Sequence, residues 1–175
     1  MAKLSAVRFL IVDDNAAMRR IVRMILADFG VRRVEEAGGG MNALTRMQAD
    51  PADIVITDCN MPDLNGVEFV RRLRAQEVTS AAMTPVIMLT AHAQRSFVIA
   101  ARDAGVTEFC AKPVTAANLW KRIVSVIDKP RPFVKAGVYF GPCRRRRIEI
   151  NGVVLERRGG KKSGAAVAVK ETVEI

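Results

Sequence analysis

Residues 8–13, 53–57 and 85–90 are short apolar runs that lead onto oxygen-bearing side chains at Asp13, Asp58 and Thr90. Runs of this length that do not alternate with polar residues suit strands covered on both faces. Residues 31–37 and 106–110 are weaker strand candidates lying between helical segments. After the first run, Met18, Ile21, Val22, Ile25, Leu26 and Phe29 recur at helical spacing, and Gly30 stands where a helix should stop. Asn65-Gly66 opens another helix through Val67, Val70 and Leu73, and Leu119, Ile123, Val126 and Ile127 draw a further stripe. Five strands alternating with five helices predict an α/β, doubly wound, five-stranded parallel sheet. Ligands of such sheets gather beyond the carboxyl ends of the strands, where strand order reverses. The residues that close the apolar runs therefore become the candidate site.

Other classes are poor fits. The longest aliphatic or aromatic stretches, such as Phe9-Leu10-Ile11-Val12, are far below the ~20 residues of a membrane span. The first of them ends in Asp13-Asp14 with no secretory cleavage pattern, so a cytoplasmic protein is expected. Cys59, Cys110 and Cys143 are an odd set without CxxC spacing, and there is a single histidine, His92. A disulfide framework, a zinc cluster and a histidine-rich catalytic site are disfavoured. Cys59 and Cys110 read as small apolar fillers, and His92 as a loop residue near the mouth of the site. Met18, Met24, Met41 and Met47 read as helix-face packing, and Trp120 as either core or partner contact.

The predicted strand ends bring together Asp13-Asp14, Asp58, Thr90 and Lys112-Pro113. Oxygen ligands on a rigid rim suit magnesium, which takes one or two protein carboxylates and binds phosphate oxygens. A carboxylate beside such an ion can act as a nucleophile toward phosphorus and form an aspartyl phosphate. Phosphoryl transfer needs charge neutralisation and alignment more than proton shuttling, so the lack of a nearby histidine is no obstacle.

These residues, with the run Asp58-Cys59-Asn60-Met61-Pro62-Asp63-Leu64-Asn65-Gly66, Thr90-Ala91 and Phe109-Cys110-Ala111-Lys112-Pro113, make residues 6–128 resemble a response-regulator receiver domain of the CheY type, a flavodoxin-like fold. The resemblance implies that Asp58 is the phosphoacceptor, and that Asp14 and Asp58 bind magnesium directly. It also implies that Asp13 acts through water and that the Asn60 carbonyl completes the ligand set. Thr90 would hydrogen-bond the phosphoryl group, and Lys112 would pair with its charge. Phe109 would be the switch residue, lacking the hydroxyl of the tyrosine common at that place. The peptide bond before Pro113 would be cis. Gly66 is expected in a tight turn that needs a positive φ. Partners would dock on the fourth main helix, the fifth strand and the last helix.

Charge divides the chain. Residues 1–128 carry 16 Lys and Arg against 14 Asp and Glu, whereas residues 129–175 carry 12 against 4. A nearly neutral receiver domain (1–128) is thus followed by an arginine-rich extension (129–175). The extension has prolines at Pro130 and Pro132, Tyr139-Phe140-Gly141-Pro142-Cys143, and then Arg144, Arg145, Arg146 and Arg147. No amphipathic helices follow, so a helix-turn-helix output module and specific DNA binding are not expected. Asn151-Gly152 between Ile148-Glu149-Ile150 and Val153-Val154-Leu155 predicts a β-hairpin with Ile150 opposite Val153.

Guanidinium groups can stack on a base and donate two hydrogen bonds to guanine O6 and N7. The extension resembles that of the alphaproteobacterial CheY-like cyclic di-GMP effectors. This resemblance implies contacts from Arg144, Arg145, Arg146 and Arg147, supported by Arg131 and Tyr139. The combined reading is a two-component response regulator taking phosphate from a sensor histidine kinase or phosphotransfer protein. It has no separate metabolite substrate, and cyclic di-GMP would steer it to a flagellar motor switch component or to surface attachment. A plain chemotaxis or phosphorelay receiver with a localisation tail is the alternative. A nucleic-acid-associated regulator using the same charge is another.

Overall fold

The computed structural model of the protein describes residues 4–76, 79–91 and 95–144, together with the backbone of residues 149–150 and 153–154. Its centre is a five-stranded parallel sheet in the order β2-β1-β3-β4-β5. The strands are β1 (Arg8–Val12), β2 (Arg33–Ala37), β3 (Ile54–Asp58), β4 (Val86–Thr90) and β5 (Glu108–Ala111). The order reverses between β1 and β3, which places the switch point where Asp13-Asp14 and Asp58 stand.

The apolar runs are continuous because each central strand feeds two cores. Leu10, Val12, Val55, Val86 and Met88 join one cluster, whereas Phe9, Ile11, Ile56, Ile87 and Leu89 join the other. Alternate residues of one strand point to opposite faces of the sheet, so a strand covered on both sides has no polar position left. The first face is covered by α2 (Gly40–Ala49), α3 (Gly66–Ala75), the short turn α4 (Ser80–Met83) and α5 (Arg95–Ala104). The second is covered by α1 (Ala16–Asp28) and α6 (Ala116–Asp128), through Val22, Leu26, Leu119, Ile123 and Val126. Strand β2 lies at an edge with Arg33 and Glu35 exposed, which explains its weak apolar signal. The structure thus contains the five expected helices and adds α4 to them.

Local sequence sets the helix ends. Asn15 accepts from the backbone N–H of Ala17 and Met18, Asn65 from Glu68, and Thr115 from Asn118. Gly30 takes a φ of 81° just past α1. Met47 is buried, but Met24 and Met41 are 62% and 50% exposed, so these two are not packing residues. Trp120, at the rim of the second core, tilts against Phe29 with ring centroids 4.9 Å apart.

Beyond α6 the chain turns back onto the body. Strands β6 (Phe133–Ala136) and β7 (Tyr139–Pro142) pair antiparallel, with Ala136 opposite Tyr139, and β7 packs against α3, α4 and α5. Gly141 and Pro142 are buried there. The anchor is Arg74 of α3, a fully buried cation. Its guanidinium donates to the carbonyls of Ala82 (2.6 Å), Thr84 (2.8 Å) and Gly105 (3.1 Å). The Phe133 ring covers it at 5.0 Å. Burial lowers the Arg74 pKa to about 9, which leaves it charged at neutral pH. One side chain thereby ties together α3, the turn before β4, the turn before β5 and the extension. Strands β8 (Glu149–Ile150) and β9 (Val153–Val154) also pair antiparallel, with Ile150 opposite Val153. Asn151-Gly152, Ile148 and Leu155 lie outside the described residues.

Candidate functional site

Asp13 and Asp14 follow β1, Asp58 ends β3, Thr90 ends β4 and Lys112 follows β5. Parallel strands in register bring these ends to one rim: Asp58 pairs with Leu89, and Thr90 with Ala111. Oxygens of Asp13, Asp14 and Asp58 lie within 4.8 Å of one another. The Lys112 Nζ is 2.8 Å from Asp58 Oδ1 and 3.9 Å from Asp13 Oδ2. The Lys112 N–H donates to the Thr90 carbonyl at 2.9 Å, and the Lys112–Pro113 bond is cis. Asp13 and Asp58 are buried, whereas Asp14 is exposed.

Asp13 is the most constrained of the three. Its Oδ1 accepts from the Asn15 N–H at 2.8 Å, while Oδ2 is buried with no hydrogen-bond partner among the described residues. Burial pushes its carboxyl above the usual range. The Asn15 bond opposes that shift, and the neighbouring charge of Asp58 reinforces it. A buried carboxylate oxygen lacking a donor, facing two more carboxylates, has the chemistry of a hard divalent cation site. Arg19 braces this corner: it donates to the Asp13 carbonyl at 2.8 Å and to Glu36 at 3.1 Å. Glu36 is held below the usual carboxylate range by its hydrogen bond from Arg23, with Arg19 adding to the effect.

Gly66 is required for a different reason from the one its sequence context implied. It begins α3 and is not among the described glycines with positive φ. A Cβ there would run into the carbonyl oxygen of Asp58. The loop folds back so tightly, with Gly66 N–H donating to the Cys59 carbonyl at 2.8 Å, that only a hydrogen fits. Asp63 in the same loop caps a neighbouring element: its carboxylate accepts from Gly40, Met41 and Leu64 N–H at 3.2, 3.1 and 2.7 Å. Burial works against it, yet these donors hold its pKa below the usual range.

Phe109 is half-buried on β5 opposite Met88, packed with Phe97 of α5 against the first core. Asn60 is exposed beside a depression of about 330 Å3 that Cys59, Asn65, Glu68 and Phe97 also line. Cys59 and Cys110 are buried, and burial raises both thiol pKa values. His92 lies outside the described residues.

Of the residues expected in the extension, the structure joins Tyr139 and Arg144: the guanidinium carbon is 4.0 Å from the ring centroid. Arg131 is half-buried, whereas Arg145, Arg146 and Arg147 lie outside the described residues. Sequence reasoning missed Arg74, Asp63 and Asp103, the last of which pairs with Arg144 at 3.2 Å. None of the three left a trace, because the capping signal of an acid before a helix points to α3, which Asn65 caps, whereas Asp63 accepts from the first N–H groups of α2.

Residues 9–124 match the response regulator receiver domain family. The chemotaxis protein CheY-3 of Vibrio cholerae is 38% identical over 122 residues, which cover 70% of this chain and 92% of that protein. The CheY of Pseudomonas aeruginosa is also 38% identical, over 70% of this chain and 97% of its own length. Among solved structures, Vibrio cholerae CheY4 aligns with a TM-score of 0.63 at 34% identity, covering 69% of this chain and 98% of that one. The receiver domain of a Pseudomonas aeruginosa sensor histidine kinase, with a magnesium ion coordinated in its active-site cleft, aligns at 0.63 with 28% identity over 70% and 98%. Among the described residues no helix is long and apolar enough to cross a membrane.

Proposed function

Because the chain belongs to the response regulator receiver family, we propose that it is a phosphorylation-dependent regulator of a two-component system that takes its phosphoryl group on Asp58. One observation carries this reading: Asp58 Oδ1 lies 2.8 Å from an ammonium, on a rim shared with two further carboxylates. A carboxylate oxygen of Asp58 attacks the phosphorus of a phosphohistidine donor. The new P–O bond forms as the P–N bond breaks, and the electron pair leaves with the imidazole. Water later attacks the same phosphorus and releases phosphate, restoring the carboxylate.

Asp13, Asp14, Asp58 and the Asn60 carbonyl would hold magnesium, and the orphaned Asp13 Oδ2 supports that fit. The bound ion neutralises charge on the phosphoryl oxygens. Lys112 neutralises more of it from the other side, and the Thr90 hydroxyl donates to the transferred group. Phe109 then fills the space that Thr90 vacates, changing the surface of α5, β5 and α6 where an output partner docks. The chain modifies itself and turns over no separate metabolite. Acetyl phosphate with magnesium should add one phosphoryl group by intact mass, and chelation should prevent it. An unmodified chain under those conditions would sink the proposal.

The arginine-rich extension would bind cyclic di-GMP, and a flagellar motor switch or attachment component would receive the output. The stacked Tyr139–Arg144 pair and the chemotaxis function of the named relatives support it. Calorimetry on the full chain should show saturable binding of cyclic di-GMP that is lost when Arg144, Arg145, Arg146 and Arg147 become alanine. Equal binding of random DNA with a steep salt dependence would favour a non-specific basic tail instead.

A further inference from the structure

Arg144 and Asp103 meet across the joint between the extension and the receiver body, with Arg144 Nη1 3.2 Å from Asp103 Oδ1. Both side chains are about 40% exposed and therefore within reach of a ligand. The surface beneath Arg144 is fixed. The Tyr139 hydroxyl donates to the Pro142 carbonyl at 2.8 Å, and Gly141 fits closely between that hydroxyl and the Gly105 backbone. The guanidinium thus rests on a ring that cannot easily turn. Asp103 occupies the last turn of α5, where a carboxylate opposes the helix dipole, so helix stability gives no account of it. Its Oδ1 is shared between Arg144 and, at 3.6 Å, Arg102.

We propose that Asp103 of the receiver body and Arg144 of the extension together read one guanine of a cyclic dinucleotide. Arg144 donates to O6 and N7, and Asp103 accepts from N1–H and the N2 amine on the adjoining edge. This rests on the reading of the extension as a cyclic di-GMP site. Guanine is the base that presents acceptors on one edge and two donors on the next. An ionised carboxylate only accepts, so it suits the donor edge, while adenine turns an acceptor toward it. The pairing makes selectivity for guanine a property of a receiver helix as well as of the arginine-rich tail. It also ties the bound base to α5.

The test is calorimetry of the full chain at fixed salt with cyclic di-GMP and with cyclic di-AMP, for the wild type, Asp103→Asn and Asp103→Ala. The wild type should prefer cyclic di-GMP. Both variants should lose roughly tenfold or more of that affinity, the scale of a hydrogen bond to a charged group. Their binding of cyclic di-AMP should hold or strengthen, because the acceptor that faced adenine is gone, so the preference narrows, and labelling of Asp58 by acetyl phosphate should match the wild type. Wild-type or tighter binding of cyclic di-GMP by Asp103→Asn would overturn the proposal while leaving the cyclic di-GMP reading intact. Equal losses for both dinucleotides would overturn it too. If the wild type binds neither dinucleotide, the proposal falls together with the reading beneath it.

Discussion

Asp13 shows how this rim trades stability for chemistry. Its carboxyl is pushed up by burial and by Asp58, so above its folded pKa the charged form works against folding. That cost is present when the pH exceeds the folded value and disappears as the pH falls below the ordinary carboxylate range. In metal-free buffer at neutral pH, Asp13→Asn should raise stability by about 0.5–2 kcal/mol, as substitutions at strained sites commonly do. Magnesium should stabilise the wild type and have little effect on that variant, which thermal melts with and without the ion would read. Gly66→Ala should act in the opposite direction. Its methyl group has to displace the Asp58 carbonyl, at a cost of about 1–3 kcal/mol. Chemical denaturation would measure the loss, and no loss would mean that the loop yields easily. The importance of Gly66 was legible in the sequence, but its cause was not. A glycine before a helix looks the same whether it serves a positive φ or a close approach of two backbones.

At the scale of elements, the strand ends were legible because the apolar runs and the polar residues closing them are contiguous in sequence. Parallel register then did the rest, since neighbouring strands paired to within one residue of their last positions align their carboxyl ends. The hairpin of β6 and β7 was not legible, because its docking depends on Arg74. In α3 that residue reads as one more cation beside Arg71 and Arg72. Only the fold shows it buried beneath Phe133 and bonded to three carbonyls. Arg74→Ala should cost about 3–5 kcal/mol, as expected when buried polar groups lose a charged partner. Phe133→Ala should cost about 2 kcal/mol through lost burial and lost cover for the cation. Asp63 joins the loop after β3 to the start of α2, and Asp63→Ala should cost about 1 kcal/mol. Its folded pKa is depressed, so the contribution is complete above the unfolded value of about 3.9 and is lost as the pH falls through the lower folded value. The stability gap between wild type and Asp63→Ala should therefore stay constant from pH 5 to 8, roughly, and close only in stronger acid. A gap that closes near neutrality would contradict the capping role.

For the molecule as a whole, the charge step and the packing step fall at different places. The basic composition begins near residue 129, yet packing against the body continues through Pro142. Removing residues 129–175 should uncover Arg74 and lower the melting temperature of the receiver. Removing residues 144–175 should leave it nearly unchanged. Truncations of both kinds, followed by thermal melts, would separate a docked hairpin from a loose tail. Binding experiments on the arginines are better made with point variants or the shorter truncation, because the longer one also disturbs α3 and α5. Phosphoryl transfer to this protein depends on the carboxylate at the end of β3, and its acyl phosphate can be trapped chemically. The protein would be incubated with acetyl phosphate and magnesium, reduced with borohydride and mapped by peptide mass spectrometry. The expected result is reduction at Asp58 alone, absent in Asp58→Asn and in chelator. Modification at another residue, or none in the wild type, would contradict it.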